Sequence, residues 1–299
     1  MLKLKSDRGS AIVLVVASMV VLLGFTALST DVGLLYLNRE RLVNASDAAA
    51  LAGAQFLPSN PAQASLTALD FGVRNGIQPL EATINVEGDG KTIRVRARRQ
   101  VSLYFAPVLG IDSMPVTAQA RARVGGVERV TGVVPLGVPD QVLEYGRIYS
   151  LKVAGGDAEI GNFGCLALGG LGAGNYEERF MYGYQEWLET GDFLDTEPGN
   201  MSGSTERAVS YRVTGHESCT YTNHCESCPR LVFVPIYRDD PLSGRDTVQI
   251  VGFGAFFLEG TTGSGNECYV NGYFVREFNG FAEGLNGPDY GLRTVKLVE

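Results

Sequence analysis

From Gly9 to Thr30 the chain carries no charged side chain, and the helical pattern does not stop where the apolar run does. At 1.5 Å per residue, about 20 apolar residues cross the roughly 30 Å hydrocarbon core of a bilayer, so residues 9–30 read as a transmembrane helix. Lys3, Lys5 and Arg8 precede the run and Asp31 follows it. The excess of cations on the leading side predicts a cytoplasmic tail over residues 1–8, with the rest of the chain outside the cytoplasm, in a single-pass cell-membrane protein. Beyond Thr30 the pattern becomes amphipathic. Leu14, Ala17, Val21, Gly24, Leu28, Asp31, Leu35, Asn38, Leu42, Ala45, Ala49, Ala52 and Phe56 recur every three or four residues and mark one face of a long helix. Small residues on that face allow close approach of a neighbouring element. Residues 35–56 are expected to pack on the protein's own domain, and the membrane part to assemble with other helices. Asp31 is expected at the water interface.

Two other readings of the start are open. A cleaved secretion signal has the same basic opening, and Ala27-Leu28-Ser29 resembles a small-x-small cleavage site; the apolar region is longer than such signals need. Trimming after Gly9, as in prepilins, is opposed by Leu14, which stands where those proteins usually carry glutamate.

Charge divides the chain. Residues 1–130 hold 14 Lys+Arg against 10 Asp+Glu, and residues 131–299 hold 11 against 23. An acidic distal half argues against nucleic acid as a partner, and the step predicts a domain boundary near residue 130. In the first part, Pro58-Ser59-Asn60-Pro61 ends the long helix and a shorter one spans about 62–74. The period then falls to two. Thr83–Glu87 and Thr92–Tyr104 flank Gly88-Asp89-Gly90, a hairpin signal, and Val116–Val124 forms a third strand. Ile93, Val95 and Ala97 share a face with Val116, Ala118, Ala120 and Ala122, while Arg94, Arg96, Arg98, Arg121 and Arg123 point to the other side. A sheet with one apolar face needs a helix to cover it, and residues 31–57 supply one, in a pilin-like layout. The arginines read as an ordinary solvent face that discourages edge aggregation.

Three segments together resemble the N-terminal region of TadE/TadG-like proteins of the Flp (tight adherence) pilus-assembly machinery. They are Arg8-Gly9-Ser10-Ala11, Asp31-Val32-Gly33-Leu34-Leu35-Tyr36, and the run from Arg41 to Ala54 (RLVNASDAAALAGA). The likeness covers about the first 57 residues. It implies an envelope protein that helps build or anchor an adhesive pilus, without catalysis. Pilus-assembly proteins, or further copies of the chain meeting through the N-terminal helix, are the implied partners beside the membrane. Some TadG-like proteins end in a von Willebrand A domain, but no Asp-x-Ser-x-Ser motif follows residue 130.

Residues 131–299 predict a glycine-rich, β-dominated α+β domain. Strands are expected at 147–154, 231–238, 247–258 and 267–278, and helices at 176–189 and 204–213, the latter capped by Asn200 or Ser202. The whole is therefore α+β: a transmembrane helix continuing into a helix-plus-antiparallel-sheet domain, then a β-rich domain. Gly125-Gly126 and Thr131-Gly132 are candidate joints. Gly161–Gly164 and Gly169–Gly174 lack the features of a phosphate loop or dinucleotide fingerprint and read as turns. Asp192, Asp195 and Glu197 do not follow calcium-loop spacing and read as a surface turn.

Both histidines and three of the five cysteines fall between His216 and Cys228. Outside the cytoplasm, a disulfide from Cys219 to Cys225 or Cys228 is the favoured reading. The alternative is zinc held by a set drawn from His216, Cys219, His224, Cys225 and Cys228. Cys165 and Cys268 read as buried residues or a second pair. No Gly-x-Ser-x-Gly elbow or HExxH motif occurs, so neither an enzyme nor a cofactor is expected. An extracytoplasmic zinc- or thiol-dependent enzyme, and a secreted adhesin or filament subunit, remain the competing functions.

Overall fold

A computed structural model describes residues 8–152, 164–197, 201–225, 227–238, 246–278 and 282–299. Lys3, Lys5, Gly161–Phe163 and the cap candidate Asn200 lie outside them. The chain divides into two compact units, residues 1–123 with 297–299, and residues 124–296.

In the first unit, helix α1 spans Arg8–Ala54 without interruption. Its first half offers apolar side chains to its surroundings, with Ile12, Leu14, Val21 and Leu28 each more than half exposed. Three hydroxyls there are satisfied within the helix. The hydroxyls of Ser18, Thr26 and Thr30 donate to the carbonyls of Leu14, Leu22 and Thr26 at 2.8–2.9 Å. Such internal satisfaction suits a helix in hydrocarbon, where no water is available to a hydroxyl. From Asp31 onward one face is covered.

Helix α1 stops at Ala54, three residues before the expected end. The turn that follows is held by Phe56 N–H to Gly53 O and Leu57 N–H to Ala54 O. It moves Leu57 into the core and leaves Phe56 38% exposed. Helix α2 (Pro61–Arg74) begins with proline at its first turn, and the Asn60 side chain accepts the Gln63 N–H at 3.0 Å. The α1–α2 seam is built from small residues: Gly53 meets Ala64 and Ala68, and Gly72 meets Ala49.

Strands β1 (Ala82–Val86), β2 (Thr92–Ser102) and β3 (Ser113–Gly126) form antiparallel neighbours, β3 running past the unit boundary. The register pairs Ile93 with Ala122, Val95 with Ala120 and Ala97 with Ala118. This apolar face receives α1: Leu42 and Ala45 pack with Ala97, Val101, Val116 and Ala118. Burying a leucine of this kind contributes about 1.5–3 kcal/mol. Opposite, Glu87 bridges Arg94 and Arg121, and Arg96 donates to Gln119. The arginine face is thus laced to its own neighbours. Val298 N–H donates to Arg121 O, returning the C-terminal residues to this unit.

The second unit contains β4 (Arg129–Val130), β5 (Val138–Pro139), β6 (Ile148–Lys152), α3 (Ala173–Tyr182), β7 (Leu188–Glu189) and β8 (Phe193–Asp195). After them come α4 (Ser202–Val213), β9 (Leu231–Tyr237), β10 (Thr247–Thr262), β11 (Tyr269–Val275), β12 (Glu277–Phe278) and β13 (Leu292–Leu297). Its main sheet has the order β5-β9-β10-β11-β6, with β8 added to the start of β10. Only β5–β9 is parallel along that path. Strand β10 is buried along most of its length because both faces are covered. On one side Tyr176 and Phe180 of α3 and Ala208 and Val209 of α4 pack with Val232, Val234, Phe256 and Phe274. On the other, Phe253, Ala255, Phe257 and Val275 pack with Val130, Leu168 and Cys228.

Several expectations change here. Helix α3 ends at Tyr182, not 189, because Gly183 (φ +78°) takes a left-handed turn against Gly132. Gly125 and Gly126 follow the boundary between the units directly and are positions of close chain approach, since a Cβ on either would collide with the backbone of Leu285 or Gly287. Asp195 lies in a strand, not a surface turn, and accepts the Thr247 hydroxyl, while Glu197 accepts the Gly172 N–H. Helix α4 begins at Ser202 itself, with Met201 at the cap position.

Candidate metal centre

The segment between α4 and β9 turns twice in the same way. Cys219 N–H donates to His216 O at 3.1 Å, and Cys228 N–H donates to Cys225 O at 3.2 Å. Between these turns Thr220 and Asn223 exchange backbone hydrogen bonds at 2.9 and 3.1 Å. The two turns therefore face each other. Each presents two side chains three residues apart, His216 with Cys219 and Cys225 with Cys228. One ligand atom from each of the four lies within 4.8 Å of all the others. The sulfurs of Cys219 and Cys225 are 3.9 Å apart, and none of the five cysteines forms a disulfide in this structure.

Burial is graded across the group. Cys228 is buried, His216 and Cys219 are partly covered, and Cys225 is exposed. Cys219 and Cys228 pack with the apolar residues on the second face of the sheet, where Tyr221 stacks on Tyr273 at 4.1 Å. Ser227, inside the Cys225–Cys228 turn, has φ +59° and is the one non-glycine residue with positive φ among those described. A left-handed serine costs roughly 1–2 kcal/mol, and such strain concentrates at functional sites.

Two buried arginines hold the loop in place. Arg230 donates to the carbonyls of Cys219 (2.8 Å), His216 (3.2 Å) and Leu258 (2.8 Å), pairs with Glu259 and lies over the Phe257 ring. Arg212 donates to Phe180 O (2.6 Å) and Pro229 O (2.8 Å), and burial brings its pKa down to about 10. Sequence reasoning passed over both, because an arginine that satisfies carbonyls from distant elements has no local signature. The thiols are tuned in opposite directions. The Cys225 backbone N–H, with help from Cys228, holds Cys219 below the ordinary thiol value, whereas burial pushes Cys228 up to about 11.

His224 does not join the group. Its ring stacks on Phe257, and Nε2 lies 3.6 Å from Glu277. The four residues follow the spacing His-x2-Cys-x5-Cys-x2-Cys, in which histidine stands as the first member of a two-turn ligand set. Cys165 and Cys268 lie elsewhere, in the core under the helices. Burial pushes the Cys165 thiol up to about 12, and its Sγ lies 3.5 Å from the Tyr176 hydroxyl.

Of the proposed assembly face on α1, Leu42, Ala45, Ala49 and Ala52 are buried inside the first unit. Leu14, Ala17, Val21, Gly24 and Leu28 are exposed, Leu35 is partly covered, and Phe56 lies beyond the helix. Asp31 is not simply at a water boundary. It is 5% exposed and accepts the N–H groups of Tyr104 (2.8 Å), Phe105 (3.1 Å) and Ala106 (2.7 Å).

Residues 9–55 match the Tad family model, the TadE/G-like Flp pilus-assembly domain. The match coincides with α1 almost end to end. An apolar N-terminal helix carrying that domain fits a membrane-anchored, pilus-associated protein. No curated protein and no solved structure matches the chain.

Proposed function

We propose that this is a non-catalytic, membrane-anchored envelope protein that assists assembly or anchoring of a Flp/Tad-type pilus. The observation that carries the reading is the coincidence of the family match with α1, one unbroken helix whose first half is apolar and exposed. Its second half lies on a small antiparallel sheet, a pilin-like arrangement. In this reading the N-terminus is cytoplasmic and both folded units lie outside. The turn after β2 supports the depth of insertion. Tyr104, Val108 and Leu109 are strongly exposed, and Asp31 ties this turn to α1 where the uncharged run ends. Apolar and tyrosine side chains at that level suit the interface of a bilayer. Leu14, in place of a glutamate, favours an accessory role over that of the main fibre subunit.

Deletion of the gene, with complementation by the full chain, tests the proposal. Loss of surface pili that the full chain restores is the expected result. Normal piliation in the deletion strain overturns it. Sequencing the mature N-terminus separates the anchor from a released adhesin, because a start near Thr30 removes the anchor.

A further inference from the structure

We propose that His216, Cys219, Cys225 and Cys228 bind one zinc ion, and that the ion is structural. The site stands on geometry that is independent of the pilus reading. Two i-to-i+3 turns closed by the same backbone hydrogen bond bring four ligand atoms within 4.8 Å of one another. In a zinc tetrahedron with Zn–S of about 2.3 Å, neighbouring sulfurs are about 3.8 Å apart. The observed Cys219–Cys225 separation of 3.9 Å meets that value. No pair of ligand atoms exceeds that value by more than about 1 Å, a gap that small side-chain rotations close. Three sulfurs and one imidazole nitrogen are a donor set suited to zinc and not to calcium or magnesium, which take oxygen ligands.

The surroundings are built for such an ion. Binding converts three thiols to thiolates and releases their protons to solvent, while neutral His216 supplies a nitrogen lone pair. Zinc with three thiolates carries one net negative charge, and the buried Arg230 guanidinium donates to the backbone of two of the four ligand residues, offsetting it. The left-handed Ser227 sits in the turn that must present Cys225 and Cys228 to a common centre. Four protein ligands complete a tetrahedron and leave no position for substrate, which assigns the ion a structural role. The loop between α4 and β9 has little apolar burial of its own beyond Cys228 and the Tyr221–Tyr273 stack. A metal supplies the cross-link that joins its two turns.

The test uses the full chain, purified in mild detergent under anaerobic, zinc-replete conditions. Zinc is measured by elemental analysis, and cysteine oxidation state by alkylation and mass spectrometry. The expected result is one zinc per chain, retained by His224→Ala and lost from Cys225→Ser and His216→Ala. Cys225 is exposed and His216 partly so, and size-exclusion elution with far-ultraviolet dichroism establishes that these variants remain folded. Should either fail to fold, cobalt(II) titration of the native chain decides, since three thiolates around a tetrahedral cobalt give intense visible and charge-transfer absorption. A zinc-free chain that takes up no cobalt, a Cys219–Cys225 or Cys219–Cys228 disulfide in the native protein, or full zinc occupancy in Cys225→Ser overturns the proposal.

Discussion

The carboxylate of Asp31 accepts the backbone N–H of Ala106 at 2.7 Å, joining residues 75 positions apart in the chain. The same carboxylate accepts Tyr104 and Phe105, so one buried side chain satisfies three consecutive donors at the start of a 3₁₀ turn, Ala106–Leu109. Asp31→Ala leaves those donors without a protein partner, and an unsatisfied buried donor costs about 1–3 kcal/mol. Amide hydrogen exchange at Tyr104–Ala106 should quicken by tenfold or more in the full-length variant, with smaller change in Asp31→Asn. Unchanged exchange in the alanine variant would show that the clamp does not hold the turn.

The proposed placement of the clamped turn at the bilayer surface can be measured. β2 is 11 residues long and ends just before Tyr104, so its far end lies about 36 Å away along the strand at 3.3 Å per residue. A fluorophore at Leu109→Cys should be quenched strongly by spin-labelled lipid in reconstituted vesicles, and one at Gly90→Cys weakly or not at all. Equal quenching at both sites would refute the interfacial placement.

Two glycines of α1 should respond in opposite ways to alanine. A Cβ at Gly53 would stand 2.7 Å from Ala64 O and 2.9 Å from Ala68 Cβ, whereas one at Gly24 meets nothing within 4 Å. Overpacking costs about 1–3 kcal/mol, which outweighs the helix-propensity gain of up to about 1 kcal/mol at Gly53 but is absent at Gly24. Thermal unfolding in detergent should show Gly53→Ala destabilised and Gly24→Ala unchanged or slightly stabilised. A stabilised Gly53→Ala would mean that the α1–α2 seam is looser than described.

The Glu81–Arg99 pair makes stability depend on pH. Hydrogen bonds of 2.7 and 2.8 Å from the Arg99 guanidinium, acting against partial burial, hold the Glu81 carboxyl below the usual range. A carboxyl lowered in the folded state contributes stability that is fully present above the unfolded value of about 4.3. That contribution is lost as pH falls through the folded value. Glu81→Gln should therefore lower stability to urea at pH 7 by about 1 kcal/mol, and the gap to the native protein should narrow progressively as pH falls below the unfolded value. A gap that does not narrow as pH falls below the unfolded value would place its cause outside this titration.

Much of the first unit was legible because its signals are local. The alternation in β2 and β3 and the Gly88–Gly90 turn led to nearly the observed strands, and the hairpin is closed by Asp89 accepting the Lys91 and Thr92 N–H groups. The end of α1 was misplaced because Gly53 is a good packing residue for α2 before it is a helix breaker, a property visible only once Ala64 and Ala68 are in place. In the second unit the long runs that became β9, β10 and β11 were clear, but the two-residue strands and β13 were not. β4 and β5 pair with residues up to 60 and 98 positions away.

The metal-ligand cluster marks the same limit. Composition and spacing confined the chemistry to His216–Cys228, and they left five candidate side chains. The fold selected four by stacking His224 on Phe257 and fastening the carbonyls of His216 and Cys219 to Arg230. The sequence alone determined that this chain has an uncharged helix long enough to cross a bilayer, followed by a helix with one face to bury. Hydropathy and periodicity are carried by neighbouring residues and need no tertiary context. Which residues of that face are consumed inside the unit, where the turn after β2 is clamped and which nitrogen joins the sulfurs were decided by the tertiary structure. Each depends on side chains brought together from distant positions, where shape and hydrogen-bond satisfaction choose among partners that spacing leaves equivalent.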